Sequence, residues 1–85
     1  MSDYVILITR TAQKQLDKLP DNVVESLLIA IQNLAQDPRL VGSKKMKGRD
    51  GYRVRKGEYR IIYDVLDDEL IVEVIALGHR KDIYQ

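Results

Sequence analysis

Between Tyr52 and Val65 the chain reads YRVRKGEYRIIYDV, and apolar residues fall at every second position on both sides of a single glycine. A two-residue period fits a strand with one buried face, so two such runs meeting at Gly57 fold back as a hairpin. With Lys56-Gly57 as the two-residue loop, Arg55 pairs with Glu58 and Arg53 with Arg60, all on one face. Tyr52, Val54, Tyr59, Ile61, Tyr63 and Val65 take the other. Two arginines are then directly opposed, an arrangement that destabilises a strand pair by some tenths of a kcal/mol unless an anion arrives to relieve it.

The rest of the chain supplies what the hairpin packs against. YVILI, residues 4–8, is a short run rich in β-branched residues and reads as a buried strand. Thr9 is placed to cap a first helix whose apolar stripe is Ala12, Leu16 and Leu19, and Pro20 stops it. A second helix follows, with Asn22 as cap and Glu25 completing a capping box. Its core face is Val24, Leu27, Leu28, Ile31, Leu34 and Ala35, and it ends before Asp37-Pro38. Residues 39–50, RLVGSKKMKGRD, have no usable period and read as a loop. Three strands close the pattern, at about 51–56, 58–66 and 69–77. The last, LIVEVIAL, is apolar on both faces and belongs in the centre of the sheet, and GHRKDIYQ forms a short C-terminal tail or helix. The fold class is therefore α+β, in the order β-α-α-β-β-β, with two helices on one face of a small, mainly antiparallel sheet. The opposite face, carrying Arg53, Arg55, Glu58 and Arg60, is left open.

Eighty-five residues form one domain, 1–85. Cysteine is absent, which excludes disulfides and thiolate chemistry, and no apolar run reaches the length of a membrane span. The chain reads as soluble and cytoplasmic, with no membrane partner. A single histidine makes no zinc site, and Asp64, Asp67, Asp68 and Glu69 mark a solvated turn without the spacing of a calcium loop. Phosphate-binding glycine loops, dinucleotide fingerprints and serine nucleophile elbows are missing too. No metal, cofactor or small-molecule partner is expected.

The net charge of +1 hides a strong local bias. From Lys44 to Arg60 there are eight bases (Lys44, Lys45, Lys47, Arg49, Arg53, Arg55, Lys56 and Arg60) against Asp50 and Glu58, a local +6. A merely solvated strand face usually mixes lysine with glutamate. Here arginine recurs three times, and its planar fork of donors grips phosphate in two places at once. Together with the lysine-rich segment leading into the same face, this points to an anionic polymer, RNA or DNA. His79, one step past the last strand, and Tyr84, which could pin the tail or stack on a base, lie close by in the sequence with Arg80 and Lys81. A basic face of this kind either binds a nucleic acid or cleaves a phosphodiester.

At this point the chain resembles the RelE/ParE superfamily of toxin–antitoxin toxins, and the RelE-like branch more closely. The resemblance runs over nearly the whole chain: the opening strand, AQKQLDKLP, the second helix, KMKG, YRVRKGEYRIIYDV and the closing GHRKDIY. It implies an mRNA interferase, a metal-independent endoribonuclease that cuts messenger RNA in the ribosome and inhibits translation, held in check by an acidic antitoxin protein. Carried over residue by residue, it puts catalytic roles on Arg53, Arg55, Arg60, Arg80 and Tyr84. RNA contacts fall to Lys44, Lys45, Lys47, Arg49 and Lys81. Where well-known ribosome-dependent members carry lysines in the first hairpin strand, this chain has arginines, which do not deprotonate in proteins. Proton transfer therefore passes to His79 and Tyr84, with Glu58 a third candidate. Two other readings stay open: a ParE-like inhibitor of DNA gyrase, and a non-catalytic module that binds RNA or an antitoxin.

Overall fold

The computed structural model describes residues 3–39, 44–45, 51–79 and 81. Strand β1 (Val5–Ile8) leads into helices α1 (Arg10–Asp17) and α2 (Asp21–Gln36). Strands β2 (Lys44–Lys45), β3 (Tyr52–Lys56), β4 (Tyr59–Leu66) and β5 (Ile71–His79) follow, with a 3-10 turn at Asp67–Glu69. The sheet order is β1-β5-β4-β3-β2, with β1 parallel to β5 and every other pair antiparallel. The α+β class and the helix-covered, mainly antiparallel sheet expected from the pattern are therefore present, and β5 is interior as its two apolar faces require.

Local chemistry explains the helix boundaries. Thr9 is extended, and its hydroxyl accepts from the Ala12 N–H at 3.2 Å while donating to the Ile75 carbonyl at 2.9 Å. One side chain thus caps α1 and ties it to β5. The second helix starts two residues earlier than the capping-box pattern suggests. Pro20 is the N-cap, with its carbonyl accepting from the Val23 and Val24 N–H groups, and Asn22 lies within the first turn. Proline's fixed φ suits the extended entry, so no side-chain cap is needed.

The core is built from Ala12 and Leu16 of α1, Leu27, Ile31 and Leu34 of α2, Ile61 and Tyr63 of β4, and Val72, Val74 and Leu77 of β5. Leu28, expected in this set, lies at its margin and is 38% exposed, because the buried stripe of α2 is centred on Leu27, Ile31 and Leu34. Where β1 runs out at Ile8, helix α1 takes over the edge of β5, and the Leu77 N–H donates to Gln15 Oε1 at 2.8 Å. That bond satisfies a buried backbone donor that no strand reaches.

Three details correct the sequence reading. The hairpin loop is Gly57-Glu58, not Lys56-Gly57, so Lys56 pairs with Tyr59, Arg55 with Arg60 and Arg53 with Ile62. Gly57 has φ +61°, and no non-glycine but Leu70 has positive φ among the described residues, so the turn has the type II′ pattern that matches strand twist. Glycine is needed at the first loop position of that turn, and this sets the register one residue away from the expected one. Within the expected loop 39–50, Lys44 and Lys45 form an edge strand, with Lys44 opposite Arg53 and Lys45 opposite Tyr52. Strand β5 runs on to His79, which is thus part of the strand and pairs with Tyr59.

Candidate functional site

The register puts like charges opposite each other twice. Lys44 of β2 faces Arg53 of β3, and Arg55 of β3 faces Arg60 of β4, all four on the sheet face away from the helices. They converge on one concavity of about 210 Å³, lined by Lys44, Arg53, Val54, Arg55 and Arg60. Lys44 and Arg55 are exposed, and Arg53 and Arg60 are half-buried. Opposed cations repel. Their convergence on a hollow of this size makes a ready receptor for an anion with several oxygens, because each fork can engage two of them. Glu58 sits in the turn and not across from Arg55, so the strand pairing does not set it up as that arginine's partner.

His79 lies on the other side of the sheet. It pairs with Tyr59, whose neighbours Ile61 and Tyr63 are core residues, and the two rings meet edge to face at 5.6 Å. Its Nδ1 accepts the Lys81 N–H at 3.1 Å, which fastens the end of β5. The residue that pairs with Arg60 across β4 and β5 is Gly78. The structure therefore brings Arg53, Arg55, Arg60 and Lys44 together and does not bring His79 to their face. Lys45 is exposed at the sheet edge and Lys81 is exposed beyond β5. Lys47, Arg49, Arg80 and Tyr84 lie outside the described residues. Among the described residues, no three His, Asp or Glu side chains converge as metal ligands would.

A second polar cluster escaped the sequence reading. Arg39 donates through two nitrogens to Asp67, at 2.8 and 3.1 Å, and through Nε to the Tyr52 hydroxyl at 3.0 Å. Its guanidinium also lies 5.3 Å from the centre of the Tyr52 ring. The Tyr4 hydroxyl donates to Asp67 at 2.8 Å. Donation from Arg39, aided by Tyr4, holds the Asp67 carboxyl below its usual range, and Asp67 in turn pushes the Tyr4 phenol up. Behind this cluster the buried Tyr63 hydroxyl donates to the Pro38 carbonyl at 2.6 Å, and the Tyr63 and Tyr52 rings stack at 5.8 Å. The exit of α2 is thereby pinned to the turn between β4 and β5. These partners are 28 and 63 residues apart in the chain, so no local pattern announces them, and Asp67 alone reads as one more acid in a solvated turn.

Comparison with known proteins bears on the same site. A family model described as the ParE toxin of the type II toxin–antitoxin system parDE matches residues 6–84. Toxin RelG of Mycobacterium tuberculosis is 31% identical over 84 residues, covering 96% of this chain and 97% of its own. The mRNA interferase toxin RelE of Escherichia coli K12 is 30% identical over 80 residues, covering 92% and 84%. Among solved structures, the toxin–antitoxin complex RelBE2 of M. tuberculosis matches with a TM-score of 0.82 at 29% identity, over 96% of this chain and 97% of that one. The intact E. coli RelBE toxin–antitoxin complex matches at 0.79 and 29%, over 89% and 95%.

Proposed function

The chain belongs to the ParE toxin family of type II toxin–antitoxin systems, and from that premise we propose that it is a RelE-like mRNA interferase of the cytoplasm. In this reading it cuts messenger RNA on the ribosome without a metal and is neutralised by an acidic antitoxin. The observation that carries the reading is the pair of opposed cations, Arg55 with Arg60 and Lys44 with Arg53, around one concavity on the open face. The names of the RelE relatives supply the reaction class.

In the proposed reaction the ribose 2′-oxygen attacks the adjacent phosphorus and the bond to the 5′-oxygen breaks. The proton of the 2′-hydroxyl goes to a base, and the departing 5′-oxygen takes one from an acid. Charge builds on the phosphoryl oxygens in between, and Arg53, Arg55 and Arg60 are fixed on a rigid sheet where that charge develops. No solvent has to reorganise when it appears. The sequence motif adds Arg80 to this group. Proton transfer falls to Tyr84 before His79, because His79 faces Tyr59 and the helices. Lys44, Lys45, Lys47, Arg49 and Lys81 serve as phosphate contacts along the RNA.

Primer extension on a defined message in a reconstituted translation system, with and without ribosomes, tests the assignment. Wild-type cuts that need ribosomes and disappear in Arg60→Ala, with the variant still folded, are the expected result. A folded Arg60→Ala chain that cleaves and poisons cells as well as wild type overturns it. The ParE description of the matching family favours one second reading, inhibition of DNA gyrase. Loss of supercoiling in a gyrase assay, with no RNA cut in the first, selects that reading.

A further inference from the structure

Gly78 pairs with Arg60 and lies on the same open face. Its place in β5 is unusual, because glycine weakens a strand interior by lost packing and extra chain entropy. Two structural reasons commonly keep glycine in a strand, and neither applies. Positive φ is confined to Gly51 and Gly57 among the described glycines, so the backbone at Gly78 is one that other residues adopt. Among the described residues, a Cβ built at Gly78 meets nothing within 4 Å, so none of them demands its absence. The fold would accept a side chain there. The irregularity in β5 leaves out Ile75 while Gly78 keeps its partner, so the further reason for glycine here is close approach by a ligand or another backbone.

We propose that Gly78 is a clearance residue for substrate: its missing side chain leaves bare backbone beside Arg60, on which the sugar–phosphate backbone of the RNA settles at the scissile phosphate. This rests on the ribonuclease reading above and adds to it a determinant that carries no functional group. Across β3 the partner of Arg60 is the cation Arg55, and across β5 it is Gly78, which has no side chain. The RNA therefore reaches Arg60 from the β5 side, with the arginines of β3 beyond it. Any side chain at position 78 stands in that path.

The test uses the full chain with Gly78→Ala, Gly78→Ser and Gly78→Val. Thermal unfolding is measured first, then single-turnover cleavage of ribosome-bound message. Melting no lower than wild type is expected in all three, because the added atoms enter open space. Cleavage should fall in the order of side-chain bulk, reaching on the order of 10²-fold in Gly78→Val, the scale of loss when a reacting group is held about 1 Å out of place. A Gly78→Val chain that melts and cuts like wild type overturns the proposal. So does a loss of cleavage that merely follows a loss of melting temperature across the series, since that is the signature of a structural glycine. If Gly78→Val fails to fold, Gly78→Ala decides by the same criteria. Failure of the ribonuclease reading itself is distinguishable, because the wild-type chain then cuts nothing.

Discussion

Replacing Arg55 with glutamine separates the cost of the basic face from its use. Arg55 and Arg60 are directly opposed across β3 and β4, and in such pairs the Cβ atoms are ~5 Å apart, with mobile side chains that splay the charges to about 6 Å. At that distance in water two unit charges repel by ~0.7 kcal/mol, and screening at physiological salt reduces this to about 0.3 kcal/mol. For a domain of this size the relief corresponds to a rise in melting temperature of ~1–6 °C across that range. Glutamine keeps most of the aliphatic stem, so packing changes little. The gain should shrink below ~1 °C in 1 M salt, where the Debye length falls to about 3 Å. The same change should weaken RNA binding and flatten the plot of log affinity against log salt by ~0.7, the expectation for one lost phosphate contact on a single strand. Differential scanning fluorimetry at two salt concentrations and a salt series of RNA binding measure both. A variant that melts lower than wild type, or that gains equally at both salts, refutes the repulsion. An unchanged salt slope refutes the phosphate contact.

Two further outcomes test the cluster at the exit of α2. Tyr63→Phe removes the donor to the Pro38 carbonyl and leaves that buried acceptor unmatched, at a cost of about 1–3 kcal/mol. Its melting temperature should drop by at least ~4 °C, and a melting curve identical to wild type would show that the bond contributes nothing. The Asp67 carboxyl is held below its ordinary pKa by Arg39 and Tyr4, so its stabilisation is present above ~pH 4 and is lost as pH falls through the lowered value. The melting-temperature gap between wild type and Asp67→Asn should be widest near neutrality and close below ~pH 4. A gap that is flat over that window would contradict the ion pair.

Much of the fold is legible because one-dimensional periodicity carries it. Ala12 and Leu16, then Leu27, Ile31 and Leu34, repeat at helical spacing, and Ile61 and Tyr63 alternate as a half-buried strand must. Reading β5 as interior follows from the same logic. The face that bears Arg53, Arg55 and Arg60 was legible too, because side-chain parity within a strand is independent of its partner. Which arginine opposes Arg60 was not. That depends on whether Gly57 is the first or second loop residue, and alternation alone permits both. The Arg39–Asp67 clamp and the two-residue strand at Lys44 come from tertiary pairing, for which a polar side chain in a loop leaves no periodic trace. His79 shows a third kind of failure, in which proximity along the chain was taken for proximity in space.

That failure has one source, the irregularity in the pairing of β4 with β5. Ile62 pairs with Ala76 but Tyr63 pairs with Val74, so Ile75 has no counterpart, and the Thr9 hydroxyl bonds to its carbonyl. Before this point the even-numbered residues Val72 and Val74 face the core; after it the odd-numbered Leu77 and His79 face the helices. The single unmatched residue works as a phase shifter for the last part of the strand. Were Ile75 instead paired with Ile62 in an unbroken ladder, Leu77 would fall opposite Arg60 on the outer face, His79 would turn outward with it, and Gly78 would lie against the helices. An imidazole would then share the face of Arg60, two residues beyond the position opposite it, with no letter of the surrounding motif altered. In strands of this kind the chemistry on offer to a ligand is set by the pairing register as much as by composition, and one residue left out of the ladder exchanges one face for the other.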